Sequence, residues 1–326
     1  MPVVLRIVTA CVLGVAGAAL WAWGLAGFQP AVEPGGPLTD EVFTLRDLRW
    51  TAILLAVGAV VLLGLGSRHN MVTGTLGAVG WWVADIWLDR ADVAGRESAV
   101  LLGLAAVGLL AGLGILGHRT AARSGRAGLV VVGSAATSLA FLPGTALGAG
   151  DVPGALRLVL AILLTVLGTG CALAATDHPG RRRLLAAVGL VVLPSAAAMA
   201  FEPGIGVLGM VQTAVAMVGV AVVSRWRTAH ESSMTSFAVH GGIALTTYYP
   251  ALGLLYLVSA QVSELAAELA NIPGFAMDEN SSLVPLGLGY GVGCGVLALL
   301  LTRPARDDGS WELTPRNELP QEVTRS

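Results

Sequence analysis

The chain has no lysine and few charged residues of any kind. Of its 326 residues, 12% are charged and 55% are hydrophobic, and the mean hydropathy is +0.76. A soluble globular chain carries about 25% charged residues, and half that amount cannot coat a folded protein of this size in water. The deficit excludes a disordered chain, a basic nucleic-acid binder and an ordinary cytosolic enzyme. It favours a protein that crosses a membrane several times.

Motifs for metals, cofactors and nucleotides are also missing. The three cysteines, Cys11, Cys171 and Cys294, each lie in an apolar run without a second cysteine nearby, so neither a disulfide framework nor a zinc site is expected. Of the five histidines, only His240 lies within an apolar stretch, whereas paired haem or metal ligands need two at one depth. No GxSxG, HExxH or Walker sequence occurs. We therefore expect no cofactor and no metal.

What the chain does contain is a series of apolar stretches near 20 residues, the length that a helix needs to cross about 30 Å of hydrocarbon. Ten predicted spans follow: 3–28, 50–66, 71–88, 98–117, 127–142, 154–176, 184–201, 204–224, 237–259 and 283–302. The predicted fold is an all-α, polytopic bundle of about ten transmembrane helices. Residues 1–303 form a single transmembrane domain, and the polar residues 304–326 form a disordered cytoplasmic tail.

Arginine predicts the orientation of the bundle. If the N-terminus lies inside the cell, most of the 19 basic residues fall in inner segments, including the clusters at 119–126 and 181–183. Arginine in short connections is held back from translocation, so both termini are predicted to be cytoplasmic in the cell (plasma or inner) membrane. An odd number of spans would put the two clusters on opposite sides. Between the first two spans, residues 29–49 form an outer connection, in which Thr39 and Asp40 resemble a helix start.

An internal repeat relates two predicted hairpins. Residues 128–144 and 189–204 share serine, phenylalanine, proline and glycine in the same order, including Ser134 and Ser195. The period is about 60 residues, the size of one helical hairpin, and repetition of a hairpin preserves orientation. We therefore predict a parallel two-helix repeat, which five hairpins would extend to ten helices.

Two carboxylates are candidates for an ion or proton site. Asp85 follows Trp81 and Trp82 near the outer end of the third span, and a carboxylate within hydrocarbon is a functional pointer. The interpretation that we favour for Asp85 is a carboxylate at headgroup level within an ordinary tryptophan belt. Glu202 follows the outer end of the seventh span, where a solvated loop residue is the favoured interpretation.

The ninth span predicts a substrate pocket. Its polar residues before Pro250 are Thr246, Thr247, Tyr248 and Tyr249. Proline frees a carbonyl near Thr246, and such a break is tolerated only where neighbours or a cavity satisfy the backbone. Gln212, in the eighth span, is a further candidate substrate contact. The alternatives are a kinked packing helix and an amide that joins two helices.

Glycine recurs at helical spacing in the tenth span. Two stripes result, one through Gly287, Gly291 and Gly295 and one through Gly289 and Gly293. Such stripes let the backbone of a partner helix approach closely. We expect the ninth span to be that partner.

Three functions are compatible with these features. The first is a secondary-transporter-like permease for a small or amphipathic solute, with its pocket at 246–250. The second is a non-catalytic membrane scaffold or subunit that holds a membrane protein partner, which the scarcity of buried charge favours. The third and weakest is an enzyme on lipid-linked substrates with Asp85 and Glu202 as acid and base. Membrane lipids are expected partners in each case, and nucleic acid is not.

Overall fold

The chain folds into helices joined by turns. A computed structural model describes residues 1–32, 40–118, 125–145, 154–175, 181–200, 215–217, 219–220, 223 and 283–301, and no strand occurs among them. The predicted all-helical class is therefore confirmed. The predicted tail, 304–326, lies outside the described residues.

The described helices follow the predicted spans with one notable difference. In chain order they are α1 (Val3–Trp23), α2 (Gln29–Val32), α3 (Asp40–Leu63), α4 (Arg68–Arg90), α5 (Arg96–His118), α6 (Arg126–Thr145), α7 (Gly154–Ala174), α8 (Arg181–Ala187), α9 (Leu193–Ala200) and α10 (Leu283–Leu301). Two π-helical turns, Gly24–Phe28 and Val188–Val192, make α1–α2 and α8–α9 continuous. The second predicted span is too short, because α3 begins at Asp40 and includes residues assigned above to the outer connection.

Helix α3 forms the centre of the described bundle. It contacts α1, α4, α5, α6, α7 and α10. Its residues Ile53, Leu55 and Leu62 are fully buried, as are Ala52 and Ala56. The second half of α3, from Trp50 to Leu63, is apolar apart from Thr51. A segment that is apolar all round belongs in the interior, so the flanking helices supply the outer surface of the bundle.

Helices that follow one another in the chain run in opposite directions. The Gly95 N–H, just before α5, donates to the Ala26 carbonyl at the end of α1. The Gly125 N–H, just before α6, donates to the Leu65 carbonyl in the turn between α3 and α4. We call the end at which α1, α4 and α6 begin the near end, and the end at which α3 and α5 begin the far end.

Helix α10 packs against α6 through its glycines. A methyl group on Gly291 would lie 2.5 Å from the Ala135 Cα, and one on Gly295 would lie 2.8 Å from the Val131 Cα. The two backbones therefore touch and run antiparallel, so α10 ends at the near end. The described partner of this glycine stripe is α6, whereas the partner expected above, span 237–259, lies outside the described residues.

The two serines of the predicted repeat occupy similar settings. Ser134 on α6 and Ser195 on α9 are both buried, and neither hydroxyl has a hydrogen-bond partner among the described residues. Helices α6 and α9 also contact each other. The repeat itself stays a prediction.

The outer faces of the flanking helices are apolar. Val4 on α1, Leu76 on α4 and Leu101 on α5 are 73%, 67% and 67% exposed. Two described segments, Val3–Phe28 and Arg96–Leu116, are long and apolar enough to cross a membrane, while three further apolar helical segments, Arg126–Ala140, Leu158–Ala174 and Leu184–Ala196, have 10–17 residues. The ten-span bundle therefore stays a prediction.

Candidate functional site

Asp85 lies in the protein interior near the far end of α4. It is 0% exposed. The Trp21 indole N–H donates to its Oδ1 at 2.7 Å, and the Trp50 indole N–H donates to its Oδ2 at 2.9 Å. Asp85 is thus enclosed by α1 and α3 rather than exposed in a surface tryptophan belt, and its depth in a membrane stays a prediction.

Arg49 joins Asp85 to a second carboxylate. Its Nη2 lies 3.2 Å from Asp85 Oδ2, and its Nη1 lies 3.0 Å from Asp89 Oδ1. The Gln29 side-chain amide donates to the same Asp89 oxygen. Arg49 is 1% exposed and Asp89 is 11% exposed. We call Arg49, Asp85 and Asp89 the Arg–Asp cluster, in which one guanidinium is shared by two carboxylates.

Helical spacing explains how α4 contributes to this cluster. Asp85 and Asp89 are four residues apart and therefore lie on one face of the helix. Trp81 and Trp82 precede Asp85 by about one turn. Trp81 packs edge-on against Trp21, with ring centroids 5.2 Å apart, and Trp82 packs against Trp50 at 6.1 Å. Each indole that bonds Asp85 is thus supported by a second indole from α4.

Gly24, in the π turn after α1, leaves space for the arginine. A methyl group on Gly24 would lie 2.9 Å from the Arg49 Cγ, so a residue with a side chain at this position would push Arg49 aside. A π turn also changes the backbone hydrogen-bond pattern and is often found at functional sites. Here the Ala26 carbonyl accepts the Gly95 N–H at 2.9 Å, which ties the turn before α5 to the same end of the bundle.

Two small cavities meet at Asp89. One of about 20 Å³ is lined by Arg46, Arg49, Asp85, Asp89 and Arg90, together with Trp50 and Ile86. The other, of about 80 Å³, is lined by Gln29, Asp89 and Asp92 together with apolar residues. The Arg49 Nε is buried and has no hydrogen-bond partner among the described residues. A polar cavity of about 20 Å³ is large enough for one water, which could serve this N–H.

A larger, apolar crevice lies nearer the near end. Its volume is about 320 Å³, and its lining includes Leu5 and Thr9 of α1, Thr165 and Thr169 of α7, and Val192 of the second π turn. The two α7 hydroxyls donate to carbonyls of their own helix, at 2.9 and 2.8 Å. They therefore offer a polar solute no free donor.

The other predicted site residues lie outside the described part of the chain. They are Glu202, Gln212, Thr246, Thr247, Tyr248 and Tyr249. The predicted substrate pocket, and the predicted acid–base pair of Asp85 with Glu202, therefore stay predictions. Only Asp85 among the candidates has a described setting.

Sequence reasoning missed Arg49, Trp21 and Trp50. Arg49 was assigned to an outer connection because the predicted span began at residue 50. A signal was present: the helix start at Asp40 puts Arg49 more than two turns inside α3. No comparable signal existed for the two tryptophans, because their rotation toward Asp85 depends on how α1 and α3 pack.

Comparisons with known proteins assign no function to the site. No protein-family model, no curated protein and no solved structure matches this chain. A function is therefore argued from the chemistry of the Arg–Asp cluster and its surroundings.

Proposed function

We propose that this chain is a multi-pass protein of the cell membrane, with ten spanning helices and both ends in the cytoplasm. We further propose that it acts as a secondary-transporter-like permease for a small or amphipathic solute. The observation that carries this proposal is the buried Arg–Asp cluster within a bundle whose outer faces are apolar.

The apolar outer faces support a lipid environment. Large side chains such as Val4, Leu101 and Trp87 are 73%, 67% and 74% exposed. In water, contiguous exposed apolar surface of this kind marks an interface with another molecule or a membrane. The two long apolar segments are mostly unburied, unlike the core helices of a soluble protein.

The directions of the helices support an even number of crossings. Helix α1 begins and α10 ends at the near end, as described above. Residues of the eighth predicted span are helical and pack in the bundle, since a methyl group on Gly219 would lie 2.3 Å from the Leu190 carbonyl oxygen. With α8–α9 as the seventh crossing, one more crossing is needed before α10. Span 237–259 is the segment that we predict for this crossing, and the predicted total is then ten.

The Arg–Asp cluster supports a transport function. Ionisable side chains are costly within a membrane, and those that are retained generally face the bundle interior and mark ion or substrate pathways. Arg49 and Asp85 are 1% and 0% exposed and form an ion pair. Apolar side chains could join α3 to α4 at lower cost in desolvation, so holding charge here suggests a role beyond packing.

Cysteine labelling tests the topology. In a background carrying Cys11→Ala, Cys171→Ala and Cys294→Ala, single cysteines are introduced by Thr120→Cys and Gly148→Cys. In intact cells we expect a membrane-impermeant maleimide to label Gly148→Cys at once and Thr120→Cys only after permeabilisation. The reverse pattern, or equal labelling of both, would contradict the proposed orientation.

Solute profiling tests the permease. Cells carrying empty vector, wild-type protein, Tyr249→Ala or Asp85→Asn are compared by untargeted mass spectrometry of cell extracts and medium, at matched membrane abundance. We expect at least one solute to change with the wild type and to return to the vector level in both variants. Glu97→Gln is the matched control, since Glu97 is exposed near the far end and lines neither cavity of the cluster. A wild-type profile equal to that of the vector would remove the permease.

A scaffold or subunit function is the second candidate. The observation in its favour is that Asp85 accepts three hydrogen bonds, from Trp21, Arg49 and Trp50, as a static structural group would. Purification in mild detergent distinguishes the two functions. A scaffold is expected to co-purify with one partner protein at fixed stoichiometry. A permease is expected to purify alone and to change the solute profile.

A further inference from the structure

The apolar crevice of about 320 Å³, which we call the near-end crevice, runs along the helices. On α7 its lining extends from Ile162 to Leu173, a distance of about 16 Å or three turns. On α1 it is lined by Leu5 and Thr9, which are one turn apart. The Met1 nitrogen donates to the Leu173 carbonyl at 3.3 Å, so the crevice reaches the near end of the bundle. Its long dimension is therefore parallel to the helices.

The near-end crevice suits an alkyl chain better than a polar solute. The Thr165 and Thr169 hydroxyls donate to carbonyls of their own helix, so the lining presents mainly alkyl groups. The volume is about ten times the roughly 30 Å³ that one water occupies in the liquid, which is room for a chain of about ten methylene-sized groups. Leu5, Ile162 and Val166 are 52%, 48% and 42% exposed. The crevice therefore opens on the outer face of the described bundle, where lipid lies in the proposed membrane.

The described residues of the eighth predicted span pack against a different side of α7. Val220 belongs to one apolar cluster with Ala172 and Val191. Leu173 and Val192, which line the crevice, are the next residues in the chain and lie about a quarter turn further round their helices. Among the described residues, this span therefore leaves the crevice open.

The charge at the near end complements an anionic headgroup. Each described helix that begins there has arginine in its first turn, namely Arg6, Arg68, Arg126 and the three arginines at 181–183. The described residues at this end include no aspartate or glutamate. Arg6 directly follows Leu5 of the crevice, and its Nε is buried with no hydrogen-bond partner among the described residues. Arg181 is exposed at the start of the continuous helix that supplies Val192 to the lining.

We propose that the near-end crevice binds one acyl chain of an anionic phospholipid, whose phosphate binds Arg6 and Arg181. Acyl chains lie along the membrane normal, as the crevice does when the helices span the bilayer. Anionic lipids of the cytoplasmic leaflet attract basic side chains next to a spanning helix. The bound chain fills the gap among α1, α7 and α9. The proposal rests on the proposed membrane location with a cytoplasmic near end, and it does not depend on the permease.

Native mass spectrometry of the delipidated full-length protein in mild detergent tests the headgroup. Dioleoyl phosphatidylglycerol and dioleoyl phosphatidylcholine, which have the same chains, are titrated separately, and the dissociation constant of the first bound lipid is measured. We expect phosphatidylglycerol to bind more tightly. The double variant Arg6→Gln/Arg181→Gln should bind phosphatidylglycerol about tenfold more weakly and phosphatidylcholine as the wild type does.

A double variant at the same end is the charge-matched control. Arg68→Gln/Arg126→Gln removes the same charge from exposed positions on α4 and α6, which contribute no residue to the crevice. It should keep the wild-type preference for phosphatidylglycerol. Equal binding of the two lipids by the wild type, or an equal loss in the two double variants, would overturn the proposal.

Added volume in the crevice tests the acyl chain. Ala196 lines the crevice and is exposed, so Ala196→Trp fills it without replacing a core residue. We expect this variant to bind the first lipid of either kind more weakly than Ala111→Trp, an exposed change on α5 outside the crevice. Equal binding by the two variants would overturn the proposal.

Crosslinking keeps the test decisive if Ala196→Trp does not fold. Wild-type protein is photolysed with a phosphatidylglycerol that carries a diazirine at the end of one acyl chain. We expect crosslinked peptides from α1, α7 and α9, and crosslinks confined to α4 and α5 would contradict the site. Failure of the permease is separately visible. Preferential phosphatidylglycerol binding without any change in solute profile would remove transport and leave the lipid site, whereas a changed profile with equal binding of the two lipids would remove only the lipid site.

Discussion

The far end of α1, α3 and α4 and the interface of α6 with α7 and α10 are held together by different means. At the far end, helices meet through the Arg–Asp cluster and two indole N–H groups. At the other interface, backbones touch: a methyl group on Gly168 would lie 3.1 Å from the Gly133 carbonyl oxygen and 2.7 Å from the Thr137 Cγ2. Small residues and interhelical hydrogen bonds are the two main means by which helices associate in lipid.

The two regions differ in the substitutions that they tolerate. Glycine packing depends on shape alone, so an added side chain is the change that damages it. The Arg–Asp cluster depends on complementary charge and hydrogen bonding, so removal of one member leaves buried charge or hydrogen-bond donors with fewer partners.

The largest effect is expected at the centre of the polar region. Asp85→Leu removes the acceptor of three hydrogen bonds and leaves Arg49 buried with one carboxylate. We expect the free energy of unfolding, measured by titrating sodium dodecyl sulfate into mixed micelles, to fall by about 3–5 kcal/mol. Glu97→Gln should leave it unchanged. Equal stability of Asp85→Leu and the wild type would contradict the described hydrogen bonds.

The glycine interface should respond to added volume. Gly291→Leu introduces a side chain where even a methyl group would lie 2.5 Å from the Ala135 Cα. We expect a loss of about 1–3 kcal/mol, the usual cost of overpacking, in the same titration. Gly108→Leu on α5 is the control, because a methyl group there has no atom within 4 Å. If both variants lose the same stability, the α6–α10 contact is not the cause.

Gly24→Ala tests whether the polar region also depends on close packing, at the contact of Gly24 with Arg49. The added methyl group would lie 2.9 Å from the Arg49 Cγ, and Arg49 cannot move away without lengthening its ion pairs. We expect a loss of about 1 kcal/mol. The matched change Gly80→Ala on α4 meets no atom within 4 Å and should cost no stability through contact. A Gly24→Ala protein as stable as the Gly80→Ala protein would show that Arg49 has freedom to shift.

The smallest effect on stability is expected from a comparison of Trp50 with Trp82, whose indole rings are in contact. Trp50→Phe removes one hydrogen bond to Asp85, whereas Trp82→Phe removes an indole N–H that has no partner among the described residues. Both changes delete the same part of the indole ring, from a buried side chain at Trp50 and a half-buried one at Trp82. The difference in free energy of unfolding should be about 1 kcal/mol, the net value of one hydrogen bond, with Trp50→Phe the less stable. The opposite order would show that ring packing outweighs this bond.

Much of the described fold could be predicted from the sequence, because each helix is encoded locally. The apolar runs gave helices close to their observed bounds, and the capping pattern gave the start of α3 at Asp40. The glycine spacing in 287–295 predicted close packing, although the described partner is α6. The expected partner, span 237–259, lies outside the described residues, so that choice stays a prediction; spacing within one helix carries no information about its neighbours.

The candidate site was less predictable. Asp85 was singled out by its charge in an apolar run, but its partners Arg49 and Trp21 are 36 and 64 positions away in the chain. Helical periodicity places Asp85 and Asp89 on one face. Periodicity does not indicate which residues of α1 and α3 contact that face.

The amino-acid sequence by itself determined that the described part of this protein is helical, that its residues are largely apolar and that charge is scarce enough for each buried charge to matter. These properties depend on composition and local spacing, which are written in the chain. Tertiary structure decided that Arg49 lies between Asp85 and Asp89, that two indoles donate to Asp85 and that Gly24 leaves space for the arginine. Those contacts depend on the rotation and depth of α1, α3 and α4 relative to one another, which only the packing of the whole bundle fixes.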